Sequence, residues 1–209
     1  MDVKMDAKIN YSKITEQIIK EACKDGKRPS LLLHSCCAPC STSVIEYLNN
    51  SFDITLFYYN PNITDENEYN RRKIEQIDFI QRFNSENPIR FIEGDYKPEE
   101  FYEMASGMES HKEGGIRCAL CYKKRLEETA RMACKNQLDY FTTTLTVSPY
   151  KNADKINKIG KALAEEFKVH YLYSDFKKKK GYERSVEMSK LFDLYRQDYC
   201  GCEFSKNHT

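Results

Sequence analysis

Apolar residues first recur at helical spacing, with Ile14, Ile18 and Ile19 giving residues 10–25 one apolar face before DGKRPS breaks the predicted helix. The pattern then changes to a short uninterrupted apolar run, SLLLHS (30–35), which reads as a buried strand. Pro39 and the following Ser-Thr-Ser open a helix over STSVIEYLNN (41–50), and FDITLFYYN (52–60) is a second strand. PNITDENEY leads through a loop into a long helix over 67–84, whose predicted apolar face is Ile74, Ile77, Phe79 and Ile80. IRFIEGD (89–95) is a third strand, KPEEFYEMASGM (97–108) a helix and ESHKEGGIR a loop. On the helix predicted over 117–135, Ala119, Tyr122, Leu126, Ala130 and Ala133 follow the helical period, which places Cys118 and Cys121 in its first turn. YFTTTLTV (140–147) is predicted as a fourth strand, ADKINKIGKALAEEF (153–167) as a helix, VHYLYSD (169–175) as a fifth strand, and a last helix ends in DLYRQDY.

Strand and helix alternate almost throughout, which predicts a parallel-sheet α/β sandwich with its functional groups at the carboxyl ends of the strands. The 209 residues fit one domain, with residues 1–28 as an N-terminal helical extension and 196–209 as a C-terminal Cys-x-Cys segment.

Charge changes this picture little, because 33 Lys and Arg stand against 32 Asp and Glu, a balance that neither demands nor excludes a nucleic-acid partner. Two local basic runs, DFKKKKGYERS and YNRRKIEQ, can meet phosphates or remain solvated surface. The first residues lack an apolar signal-peptide core and no run approaches the roughly 18 apolar residues of a membrane span, so a cytoplasmic protein with no membrane partner and with reduced thiols is expected.

Cysteine changes it a great deal. Of nine cysteines, Cys36, Cys37 and Cys40 crowd LLLHSCCAPC, Cys118 and Cys121 form CALC, Cys200 and Cys202 form CGC, and only Cys23 and Cys134 are isolated. The last two are expected to be buried as small hydrophobes. Cys36 and Cys37 fall where a strand gives way to a helix, and Cys118 and Cys121 at the start of another helix. Both places offer backbone amides and a positive dipole end that favour thiolate. Four thiolates suit a tetrahedral zinc or a 4Fe-4S cube, and unligated buried thiols are the third reading. The CGC pair can close a strained, redox-active disulfide or clamp one metal, and Cys40 can join either arrangement. No phosphate-binding loop, dinucleotide fingerprint, Ser-His-Asp order or His-Glu-x-x-His is present. His34, at the end of the first strand, is either a proton donor to substrate or a strand-end residue bonded to backbone.

Five blocks in order, LHSCCAPCS, FYYNPNI, RCALCYKKRLEETA, TTTLTVSPYKN and GYERSVEMSKLFDLYRQDYCGCEFS, resemble the epoxyqueuosine reductases of the QueH type, the cobalamin-independent family. The resemblance covers about Leu31 to Ser205. It implies an adenine nucleotide α-hydrolase type of Rossmann-like α/β/α fold without the nucleotide signature. It also implies reduction of a wobble-nucleoside epoxide to the alkene in a tRNA with a GUN-type anticodon, the last step of queuosine synthesis. By motif position it assigns a 4Fe-4S cluster to Cys36, Cys37, Cys118 and Cys121. Catalytic roles then go to Cys200 and Cys202 with Cys40, as a redox-active pair or as holders of an additional iron, and electrons come from an external donor.

An anticodon-loop substrate calls for aromatic stacking and phosphate contacts, and the candidates are Tyr58, Asn60, Asn62, Thr143, Thr144, Ser148 and Arg184 beside His34, each with a turn or capping role as the alternative. Two other functions remain open at this point: a zinc-binding structural or RNA-binding module, and a cluster-dependent tRNA sulfur-transfer enzyme, although the phosphate loop such chemistry uses is missing after the first strand.

Overall fold

The computed structural model, which describes residues 9–85 and 87–208, is built on β1 (Ser30–His34), β2 (Asp53–Tyr58), β3 (Arg90–Glu93), β4 (Tyr140–Thr143) and β5 (His170–Tyr171). All pair in parallel, in the order β3-β2-β1-β4-β5. The helices are α1 (Tyr11–Ala22), α2 (Ala38–Leu48), α3 (Glu66–Arg82), α4 (Pro98–Ala105), α5 (Ile116–Lys135), α6 (Ala153–Phe167) and α7 (Gly181–Leu191). The first eight residues of the expected N-terminal extension, and Thr209, lie outside the described residues. Among the described residues no helix is long and apolar enough to cross a membrane.

The uninterrupted apolar run in β1 is what a central parallel strand requires, since both of its faces are covered. Leu31 and Leu33 point to a core formed with Val44, Ile45 and Leu48 of α2, Phe79 of α3 and Met188 of α7. Leu32 points the other way, with Phe57 and Phe141, against Leu126, Ala130 and Ala133 of α5 and Ile156 and Leu163 of α6. Each fully buried leucine contributes on the order of 1.5–3 kcal/mol. The result is the expected Rossmann-like α/β/α sandwich, an architecture compatible with the adenine nucleotide α-hydrolase type.

Several elements differ from the sequence reading. The inward face of α3 is Tyr69, Arg72, Gln76 and Phe79. Ile74, half a turn away, is 64% exposed, so the predicted apolar stripe is corrected by two polar side chains with partners inside. β4 stops at Thr143 because the Thr143 side chain accepts from Leu145 N at 3.1 Å and caps a short 3-10 turn, Thr144–Val147. β5 keeps only two residues: beyond it Ser174 N donates to Asn157 Oδ1 at 2.9 Å instead of to a strand. The last helix does not run through DLYRQDY. It closes at Leu191 in a Schellman arrangement, with Asp193 at φ 51°, Leu194 N donating to Ser189 O at 2.8 Å and Asp193 N to Lys190 O at 3.2 Å.

Where α6 meets β5 there is room for no side chain. A Cβ on Gly160 would stand 2.3–2.5 Å from ring atoms of buried Tyr171. Gly160→Ala is therefore expected to cost about 1–3 kcal/mol, as overpacked cores do, read as a lower urea midpoint at unchanged slope. An unaltered midpoint would mean that the tyrosine ring swings aside.

Candidate active site

β1 leaves the sheet at Ser35, whose N–H still donates to Phe57 O at 2.9 Å, and whose hydroxyl donates to Gln76 Oε1 of α3 at 2.8 Å. That fixes the next two residues. Cys37 is the extended N-cap of α2, Pro39 follows inside its first turn, and Cys40 is one residue further along. The sulfurs of Cys36, Cys37 and Cys40 lie within 4.8 Å of one another, with Cys36 and Cys37 3.8 Å apart. Hydrogen bonds from Cys37 and then Cys40 hold the Cys36 thiol well below its ordinary range, while donating to that shared charge pushes Cys37 up to about 12. Gln197 Nε2, from the C-terminal segment, donates to Cys37 Sγ at 2.8 Å.

The second thiol group is carried by α5 and the C-terminal turn. Buried residues Arg117, Cys121, Arg125 and Thr129 form a stripe at four-residue spacing on α5, and Cys118 Sγ accepts from Gly114 N at 3.2 Å. Cys118, Cys121, Cys200 and Cys202 line one narrow cavity together with Asn62, Arg117 and Arg125. Burial pushes the Cys121 thiol up to about 11 and Cys202 up to about 12. Cys200 also lines a neighbouring cavity of about 400 Å³ that holds Cys36, Cys40, Ser148, Tyr150, Lys151, Tyr182 and Tyr199. Glu113, Cys200 and Ser205 line both cavities, and Cys200 is the cysteine among them.

The CGC turn is seated by packing of Cys202 against Phe101, Ala105 and Cys121 and by hydrogen bonds to its carbonyls. Arg72, paired with Glu68 at 2.6 Å, donates from Nη2 to Tyr199 O at 3.4 Å and from Nη1 to Cys200 O at 3.5 Å. Asn62 Nδ2 donates to Cys200 O at 3.3 Å, and Thr64 N to Gly201 O at 3.3 Å. Gly201 itself has φ 97°, and a Cβ there would meet Ile63 Cγ1 at 2.7 Å.

The other candidates fall in three places. Asn62 and Ser148 line the two cavities. Asn60 Nδ2 donates to Ser35 O at 2.9 Å and its Oδ1 accepts from Arg125 at 3.5 Å, so it braces the strand ends. His34 is fully buried, with Nδ1 2.9 Å from Thr143 Oγ1 and Nε2 3.1 Å from Tyr59 O. Burial, and after it Arg125, pulls its imidazole down to about 4. Tyr58 is buried and donates to Tyr69 O at 3.0 Å, and Thr144 Oγ1 is buried without a partner. Arg184 lies elsewhere, on α7, where it grips Glu46 at 2.6 and 2.8 Å beside a cavity with Ser12, Tyr47 and Lys179.

Cys134 is exposed, a correction to its expected burial: it sits in the last turn of α5, where the buried face is Ala130 and Ala133. Cys23 is half-buried and donates to Ser51 O at 3.2 Å. In the lysine run, Lys177 pairs with Asp175 and Lys179 with Glu16, leaving Lys178 and Lys180 on the exposed surface.

The sequence reading missed Arg72, Gln76, Arg125, Lys151 and Gln197. The first three had a signal, polar residues at core-facing helical positions; Lys151 and Gln197 are in irregular chain and had none.

An all-sulfur donor set suits zinc or iron–sulfur and not magnesium or calcium, and 3.8 Å between Cys36 and Cys37 matches the edge of a thiolate tetrahedron with metal–sulfur bonds of about 2.3 Å. A buried arginine without a carboxylate partner stands beside it. Fold and site together define a Rossmann-like α/β protein with a cysteine group that could bind a metal at the point where the sheet order reverses. The family described as epoxyqueuosine reductase QueH matches residues 31–208. The chain is 46% identical over 202 residues to an epoxyqueuosine reductase QueH of Staphylococcus epidermidis, covering 95% of this chain and 85% of that one. It is 44% identical over 200 residues to that of Streptococcus pyogenes, covering 95% and 78%, and 37% identical over 179 residues to that of Thermotoga maritima, covering 84% and 90%. The chain belongs to the QueH family of epoxyqueuosine reductases.

The geometry of the CGC turn makes Gly201→Ala a local lesion. Left-handed backbone and the Ile63 contact should together cost about 1 kcal/mol or more, with faster alkylation of Cys200 and Cys202 and little change in amide exchange of β1. Equal alkylation rates in the two proteins would show that the turn needs no glycine.

Proposed function

We propose that this chain reduces epoxyqueuosine to queuosine at the wobble position of a tRNA with a GUN-type anticodon, the last step of queuosine biosynthesis, and that it works in the cytoplasm where that tRNA is. The observation that carries this reading is six thiols lining two adjoining cavities, with Cys37 behind Cys36 and Cys40 as a seventh within 4.8 Å of both, in a chain that belongs to the family over nearly its whole length. Removal of the epoxide oxygen breaks two C–O bonds and forms the C=C bond, taking two electrons and two protons and releasing water. When bound to Cys36, Cys37, Cys118 and Cys121, a 4Fe-4S cluster supplies electrons one at a time from an external low-potential donor. Cys200 and Cys202 stand next to those ligands, as a two-electron dithiol or, with Cys40, as holders of an additional iron.

The rest of the cavity suits an unstacked nucleotide. Tyr150 is 80% exposed at its rim, and Tyr182 and Tyr199 stand along its wall, offering aromatic faces. Lys151 lines the same cavity, and although burial works against its charge, Cys200 and Cys36 keep the ammonium protonated. Its Nζ is thus a hydrogen-bond donor available to the departing oxygen. Arg196, bonded to Ser189 Oγ at 3.1 Å, adds a fixed positive charge nearby. The 3.8 Å spacing of Cys36 and Cys37 favours a second reading, a single zinc on the first thiol group.

Anaerobic reconstitution followed by iron, sulfide and zinc analysis, then turnover of epoxyqueuosine-containing tRNA with a chemical reductant read by nucleoside mass spectrometry, tests the proposal. Cys36→Ala, Cys37→Ala, Cys118→Ala and Cys121→Ala should each lose the visible absorbance. Cys200→Ser and Cys202→Ser should keep iron and sulfide but form no queuosine. Stoichiometric zinc without sulfide would leave the zinc reading. In parallel, Tyr150→Ala should weaken tRNA binding by about 1–3 kcal/mol, the worth of one stacked base, at unchanged metal content; identical binding would remove Tyr150 from the recognition surface.

A further inference from the structure

Arg125 is completely buried, and its Nε and Nη2 have no hydrogen-bond partner among the described residues. Its one hydrogen bond is long, Nη1 to Asn60 Oδ1 at 3.5 Å, and its guanidinium carbon stands 5.8 Å from the centre of the Tyr122 ring. The other large buried arginines have short partners: Arg72 has Glu68 at 2.6 Å, and Arg117, whose Nε is also unpartnered among the described residues, donates to Met108 O at 2.9 Å and Glu109 O at 2.6 Å. Arg125 has no carboxylate within ion-pair distance among the described residues.

What surrounds it is sulfur. Arg125 lines the cavity of Cys118, Cys121, Cys200 and Cys202. Burial opposes its charge, but the sulfurs of Cys121, Cys200 and Cys36 outweigh that and keep it protonated above its ordinary range. The cavity it lines joins the CALC helix to the CGC turn, and its partner Asn60 donates to Ser35 O at the β1 end, so the guanidinium sits where all three meet. A cation buried without a counter-ion at such a place marks where negative charge is to be held.

We propose that Arg125 is a positioning residue that donates its free Nε–H and Nη2–H to the anionic sulfur assembly between the strand-end cysteines and CALC, and so favours the more negative, reduced state of that centre. This rests on the iron–sulfur reading above. Net charge and hydrogen bonds to sulfur are among the levers that set the potential of such centres, and a planar fork supplies both from one side chain.

The test is an anaerobic redox titration of the reconstituted protein with dithionite, followed by visible absorbance and electron paramagnetic resonance, on wild type, Arg125→Met, Arg125→Lys and Asn60→Asp. At the wild-type midpoint, Arg125→Met should lower the ratio of reduced to oxidised centre about tenfold, 59 mV for one electron. Arg125→Lys, with charge but no fork, should fall between the two. Asn60→Asp sets a carboxylate against the guanidinium without touching the α5 stripe and should shift the ratio in the same direction, which decides the matter if Arg125→Met does not retain iron. Unchanged ratios at full iron content in Arg125→Met and Asn60→Asp, or in Asn60→Asp alone where the methionine variant is empty, would overturn the inference and leave the reductase reading standing. Wild-type protein that takes up zinc and no sulfide would overturn both.

Discussion

The site depends on β1 being the central strand of an all-parallel sheet. With β2 on one side and β4 on the other, its neighbours lead to connections on opposite faces, and the crevice between them opens at the carboxyl edge. Parallel pairing brings the ends of β1, β2 and β4 to one level, with His34 opposite Phe57 and Thr143. His34 then ties the three together through Thr143 Oγ1 and Tyr59 O. A side chain so enclosed is a strut, and the cysteines two and three residues further on inherit its rigidity.

Around the crevice the protein sets cations against sulfur. The net charge of +1 conceals this, because Arg72, Arg117 and Arg125 are among the largest wholly buried side chains, while much of the compensating acid lies on the surface. Each of the three does a different task. Arg72 braces the C-terminal turn through backbone carbonyls, Arg117 lines the CALC and CGC cavity while bracing the loop before α5 through Met108 O and Glu109 O, and Arg125 lines that cavity with neither a carboxylate nor a short hydrogen bond. Buried positive charge lowers the cost of thiolate, so the same residues that hold the loops also favour metal ligation.

The sheet was legible because its signal is local: a central strand must be apolar on both faces, and SLLLH, with the strands and helices around it, says so. The cysteine groupings were legible because adjacent residues and four-residue helical steps stay close in any fold. Three things were not. The inner face of α3 was misread because Arg72 and Gln76 count as polar in any periodicity scan, yet find Glu68 and Ser35 inside. The ends of β4, β5 and α7 depend on side-chain caps and one left-handed aspartate, which propensity does not resolve. The meeting of CALC with CGC is a contact between residues 79 or more apart, Cys121 and Cys200, and only the tertiary fold makes it.

That distance has a consequence for how the site is assembled. The C-terminal segment packs Cys202 and Phe204 against Phe101 and Ala105 of α4; its hydrogen bonds run from Arg72, Asn62 and Thr64 to the carbonyls of Tyr199, Cys200 and Gly201, and from Gln197 to Cys37. Every one of those anchors lies in α3, in α4, in the loop after β2 or at the β1 end, none in the segment itself. The CGC turn can therefore close only after the sheet edge has formed. The thiols at β1 and α5 are positioned by the core, Cys202 by apolar packing against Phe101, Ala105 and Cys121, and Cys200 by hydrogen bonds from Asn62 and Arg72 to its carbonyl. The two thiols of one turn are thus seated by different forces, and Cys200 is the cysteine that lines both cavities.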